Sequence, residues 1–262
     1  MPISLLLDKT NAPLHRLSLH RVQLDRHRPT ATLHATDEEL VIYPLVGAVA
    51  VEVLGDPGPV HAAWNVPGRR SVFHRGLTVI RLAARPAWTV EFHLPAGGWA
   101  ADLLVAGAMS TDRPAAETWR HGRNEIAYHD VGEGAFTREV RVVQTPPFGV
   151  IHAGETVNTP GGWSSWPAHC TVDERQRFAA HEEIFFVLCD HESLIRLDGV
   201  YQDGRLVNES RILTNGESLV VPLGHHPIVA LPNSRLWYAW FYLSFLEKTY
   251  NQWAHDLGVY VR

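Results

Sequence analysis

Gly154-Glu-Thr-Val-Asn-Thr-Pro-Gly-Gly-Trp-Ser-Ser-Trp-Pro-Ala-His169, His181-Glu-Glu-Ile-Phe-Phe186 and Val221-Pro-Leu-Gly-His-His-Pro227 are the stretches on which the reading of this chain turns. They combine short β-branched or aromatic runs with Gly and Pro punctuation, which is the pattern of strands joined by tight turns. They also place His and Glu side chains at strand ends. Side chains two apart on a strand face the same way, so Glu183 shares a face with His181 while Glu182 points away. By the same alternation Cys170 faces opposite His169 and reads as a core residue.

The same pattern continues outward in both directions. Glu39 to Tyr43 and Ala48 to Leu54 flank a turn at Pro44 and Gly47, and Leu77 to Leu82 and Trp88 to Phe92 flank Arg85-Pro86. A further strand is predicted over Ala101 to Val105. Residues Thr111 to Tyr128 are polar and weakly patterned, and read as a crossing segment between two halves. Strands resume at Arg138 to Val143, Phe148 to Glu155, Glu183 to Leu188, Glu192 to Leu197, Glu217 to Pro222 and Leu236 to Tyr242. Asp198-Gly199, Asp203-Gly204 and Asn215-Gly216 are hairpin signals. Phe245 to Leu257 reads as a short helix. The fold expected is all-β, with two jelly-roll units over residues 1–125 and 126–262. Alternating βα units, phosphate-cradling Gly loops and a nucleophile elbow are absent from the sequence.

Composition narrows the function classes. With 262 residues and a 45% apolar fraction, the chain can bury a core in each of two domains. A net charge of −5 without a basic run argues against a nucleic-acid partner. The two cysteines, Cys170 and Cys189, are too few for a disulfide scaffold and fit a reducing compartment. Apolar stretches are too short to span a bilayer as helices, and Met1 to Thr10 lacks the pattern of a leader. A cytoplasmic protein without a membrane partner is expected, and a homo-oligomer is compatible with the sequence. The sixteen His direct attention to metal or proton chemistry.

Five segments resemble the family of 5-deoxy-glucuronate isomerase and 4-deoxy-5-hexosulose-uronate ketol-isomerase. They are Phe136-Thr-Arg-Glu-Val140, the Gly-Glu-Thr-Val-Asn stretch, Trp163-Ser-Ser-Trp-Pro-x-His169, Glu182-Glu-Ile-Phe-Phe186 and Pro222-x-Gly-x-His-Pro227. The run from Trp163 to His169 is the specific one. The resemblance implies a bicupin with one divalent metal ion (Zn, Mn, Fe or Ni) in the C-terminal barrel. Carried over, the ligands are His169, Glu183 and His226. The family's second His, two residues after the first, is replaced by Thr171, and His181 can supply the missing imidazole from the neighbouring strand. The implied reaction is an aldose–ketose isomerisation of a deoxy uronic acid in inositol catabolism. Glu155 and His181 are the candidates for the base. Arg138, Arg175 and Arg177 are the candidates for holding the sugar-acid carboxylate. A non-catalytic cupin that binds a sugar acid, or an enzyme for another small carbonyl compound, is the alternative. In the first half, His34, His61, His74 and His93 sit on separate segments without a matching Glu strand, so that barrel is expected to lack metal.

Overall fold

The computed structural model describes residues 1–262 apart from 57–59, 111–117, 122–125, 147–148, 166–168, 173–180, 203–204, 222–224, 245–249 and 254–262. At several strand ends, residues 169–172 and 181 among them, the description covers the backbone alone. The chain forms two compact units. One takes Met1–Asn11, Arg16–Ile126 and Val143–His152, and the other takes Ala12–His15, Ala127–Val142 and Ala153–Arg262. Each unit therefore includes a short segment that lies, in sequence, within the other half.

In the first unit a six-stranded sheet runs, in spatial order, through β1 (Ile3–Leu7), β2 (Leu17–Asp25), β9 (Ala100–Met109), β4 (Glu38–Val46), β7 (Val79–Arg85) and β10 (Thr118–His121). A four-stranded sheet runs through β3 (Thr30–Ala35), β8 (Ala87–His93), β5 (Val49–Asp56) and β6 (Val60–Val66). Strict alternation builds the interior. Along β8, Trp88, Val90 and Phe92 are buried while Glu91 and His93 are only partly so. Those buried residues meet Leu33, Val51, Val53, Ile42, Leu82 and Leu103 in one apolar core. The turn between β4 and β5 needs Gly47, whose φ is +79° and whose missing Cβ would lie 2.1 Å from the Ala100 carbonyl oxygen.

The second unit repeats the plan. Its six-stranded sheet is β11 (Ile126–Val131), β12 (Arg138–Val143), β13 (Ile151–Asn158), β21 (Leu236–Ser244), β16 (His181–Cys189) and β19 (Ser218–Val220). Its four-stranded sheet is β14 (Trp163–Ser164), β20 (Ile228–Ala230), β17 (Glu192–Gln202) and β18 (Arg205–Thr214). A two-stranded ribbon pairs β15 (His169–Val172) with β22 (Tyr250–Trp253). Phe185, Val187, Ile195, Leu213, Ile228, Leu236 and Tyr238 fill the space between the two larger sheets.

Three local expectations are corrected. Tyr250–Trp253, read as helical, is a strand, because its backbone finds partners in His169–Val172. The polar segment between the halves contributes β10, which pairs with β7 at the sheet edge, where polar residues are tolerated. Asp198-Gly199 does not turn the chain; it lies inside β17, where the register with β18 shifts between Asp198 and Val200. A glycine within a strand commonly marks such a bulge. Among the described residues no helix is long and apolar enough to cross a membrane.

Candidate functional site

The second unit's interior is apolar at its centre and polar at both ends. Phe185 holds the middle, with its ring edge-on to His226 at 5.7 Å and tilted against Tyr238 at 4.9 Å between centroids. Two residues before Phe185, Glu183 takes the same inward face. It is directly opposite Tyr242, which follows Trp240 on the inward face of β21. Glu183 is 7% exposed, and its Oε2 has no hydrogen-bond partner among the described residues. Burial alone pushes its carboxyl up to about 8. The Tyr242 hydroxyl is pushed up as well, by burial first and then by the Glu183 charge. His226, also buried, sits just before β20.

A buried, electrically isolated carboxylate is costly unless a cation meets it. The donor set of Glu183 and His226, one oxygen and one imidazole nitrogen, suits a divalent first-row ion. Of the ligands that the resemblance implies, Glu183 and His226 are both buried and are of donor types that would suit such an ion. His169 and Thr171 lie on β15, where they pair with Trp253 and Asn251, and His181 opens β16 opposite Ser244. Their side chains lie outside the described residues, as do Arg175 and Arg177 entirely.

The other end of the interior is a hydroxyl and amide cluster. The Tyr238 hydroxyl donates to Ser164 Oγ at 2.9 Å. The Asn158 amide donates to Ser164 Oγ and to the Gly162 carbonyl, both at 3.1 Å. Burial raises the Tyr238 pKa, against its hydrogen bonds with Ser164 and Thr156 and the charge of Arg138. Arg138 is itself lowered by burial, opposed by Tyr238, and donates to the Phe136 carbonyl at 3.0 Å. Ser165 follows at φ +52°, a left-handed conformation that is uncommon outside glycine.

The two carboxylates adjacent in sequence to these inward positions are engaged elsewhere. Glu182 accepts a hydrogen bond from the His15 backbone N–H at 2.6 Å. Glu155 alternates with Thr156 along β13 and so faces away from Tyr238. Fully buried, it accepts from Arg141 at 2.5 Å, and Arg141 is also paired with Glu139. Burial lowers the Arg141 pKa, but the two carboxylates outweigh it and push it up, Glu155 most strongly.

Sequence reading did not single out Tyr238 or Tyr242. Their period-2 spacing in Leu236–Ser244 was the available signal, but it becomes meaningful only once β21 is known to lie beside β16. The first unit also corrects an expectation. His93 does have Glu partners: Glu91 lies on its own strand and Glu52 on the next. That grouping depends on the pairing of β5 with β8, which the sequence does not display.

The family model for the KduI/IolB family matches residues 6–256, nearly the whole chain. This chain belongs to the KduI/IolB family. Among similar proteins, the 5-deoxy-glucuronate isomerase of Geobacillus thermodenitrificans is 24% identical over 133 residues, which cover 50% of this chain and 47% of that relative. The chain thus spans about half the length of the curated relatives it matches. An IolB-like protein from Salmonella typhimurium shares the fold at a TM-score of 0.80 and 19% identity, over 98% of this chain and 97% of that one. The oxalate decarboxylase of Lactobacillus farciminis, solved as a formate complex, follows at 0.61 and 10% identity, over 93% and 83%. At such identities the likeness speaks to fold, and the fold is that of a bicupin. The two-sheet units of this KduI/IolB member are its two jelly rolls.

Proposed function

We propose that this KduI/IolB-family chain is a metal-dependent aldose–ketose isomerase acting on a deoxy uronic acid of the 5-deoxy-glucuronate type. The observation that carries the proposal is Glu183, a buried carboxylate with an oxygen that accepts no hydrogen bond from any described residue. The ligands are Glu183, His226 and His169, with His181 supplying the imidazole that Thr171 lacks. A bound divalent ion would lend Lewis acidity to the substrate's carbonyl and adjacent hydroxyl.

The chain's own residues then have three tasks. One group takes the proton from the carbon next to the carbonyl and returns it to the neighbouring carbon, through an enediol. The Arg141 ion pair occupies Glu155 and leaves it poorly placed for that task. A cation holds the substrate carboxylate. Arg138, half-buried near Tyr238, is one candidate, and Arg175 and Arg177 are the others. Phe185 and Trp240 keep the interior dry, so that charged contacts there are strong.

The test is proton exchange during turnover. Incubated in D2O with 5-deoxy-glucuronate and a divalent ion, the protein should convert the sugar and incorporate solvent deuterium at the carbon next to the carbonyl, as read by NMR. A chelator should abolish both. One observation favours a second reading, a sugar-acid binder without turnover: Thr171 stands at a ligand position. Binding without conversion or deuterium uptake would select that reading.

A further inference from the structure

The first unit carries a second set of ligand-type side chains, remote in kind from the interior just described. Glu52 and Glu91 are direct partners across the antiparallel pair of β5 and β8. His93 follows Glu91 by two residues and shares its face. That face is the outer one, because Val51, Val53, Val90 and Phe92 between them enter the core. One donor atom from each of Glu52, Glu91 and His93 lies within 4.8 Å of the others. His93 Nε2 is 3.4 Å from Glu91 Oε2, yet it is screened from solvent and makes no hydrogen bond.

Two carboxylates placed directly opposite on neighbouring strands repel each other. An ion between them turns that repulsion into two bonds. Donors sharing an ion at about 2.0–2.2 Å stand roughly 3–3.5 Å apart, so this set needs to contract by little more than about 1 Å to surround one centre. The positions across the register are small, with Thr32 beside Glu91, Ala63 beside Glu52 and Ala50 beside His93. The His93 and Glu91 side chains are each 38% exposed, so the site would be open to solvent on one side.

We infer that Glu52, Glu91 and His93 form a divalent-cation site on the outer face of the first unit's four-stranded sheet. One imidazole and two carboxylates select a borderline or hard ion such as Zn2+ or Mn2+ over a soft one. The ion would tie β5 to β8 across their register. Because the set exists only when those strands are paired, binding stabilises the folded chain by mass action.

The probe is Zn2+ alone, titrated by calorimetry into the full chain after chelator treatment. The wild type should bind one equivalent more than the Glu52→Gln/Glu91→Gln variant. His93→Ala should weaken that equivalent at least tenfold. Zn2+ should raise the thermal midpoint of the wild type by more than that of the double variant. Both amides are isosteric at partly exposed positions and relieve the repulsion, so the double variant should fold; circular dichroism checks this. The inference does not rest on the isomerase reading, since Glu183→Gln should leave this equivalent in place and the double variant should leave deuterium exchange unchanged. Equal stoichiometry and affinity in the wild type and the double variant would overturn the site, whatever the result for Glu183→Gln.

Discussion

Glu183 and Tyr242 face each other across the register of β16 and β21, and burial raises the pKa of both, Glu183 to about 8. In the metal-free chain the Glu183 carboxyl is therefore protonated at neutral pH. A carboxyl raised in the folded state contributes stability that is complete below its unfolded value, near 4.5, and is lost as pH rises through about 8. Chelator-treated protein should thus lose stability progressively across that window, by an amount on the order of 4 kcal/mol. Urea midpoints of the wild type and Glu183→Gln, measured from pH 5 to 9, check this. The variant should lack the slope. An excess of divalent ion should flatten it in the wild type, because the ion binds the ionised carboxylate.

Glu155 offers a prediction that separates architecture from catalysis. It and Arg141 are both almost fully buried and ion-paired. Removing one partner of such a pair costs about 3–5 kcal/mol, because the other charge is left uncompensated. Glu139 still faces Arg141, so Glu155→Ala should fall toward the lower end of that range in chemical denaturation. Its kcat, measured on the folded fraction, should change little. A stable Glu155→Ala protein with abolished turnover would make Glu155 the base instead.

Gly154 opens a third line. A Cβ there would lie 2.1 Å from the Trp240 ring and 2.5 Å from the Arg141 carbonyl oxygen. Neither can move without disturbing β21 or β12. Overpacking of this kind costs about 1–3 kcal/mol. Gly154→Ala should lower the thermal midpoint by several degrees and blue-shift or broaden the tryptophan emission as Trp240 is displaced. An unchanged spectrum and midpoint would show that the ring is not seated against β13.

The fold was largely legible because its signals are local. Runs such as Ala48 to Leu54 and Trp88 to Phe92 alternate in hydrophobicity, and Gly47 and Asn215-Gly216 mark turns. The same alternation put Glu182 and Glu183 on opposite faces, and Glu182 does point elsewhere, to the His15 backbone. What the sequence hid depends on pairing between distant strands. Tyr242 meets Glu183 only because β21 lies beside β16, and Glu52 meets Glu91 only because β5 lies beside β8. Arg141 capturing Glu155 is equally invisible, since a charged residue on a strand gives no sign of which face is buried. Tyr250–Trp253 was misread for a related reason: a short aromatic-flanked run near a helix-length apolar stretch carries no periodicity strong enough to choose between helix and strand.

If Glu183 holds a divalent ion in the second unit's interior, metal content and turnover both depend on that carboxylate. Metal content per chain, determined by elemental analysis after gel filtration, and deuterium exchange on the sugar acid should be measured together for the wild type and Glu183→Gln. Glu183→Gln should lose one equivalent of metal per chain and lose exchange with it, while remaining folded. Full metal content and undiminished exchange in Glu183→Gln would rule out that role for the carboxylate.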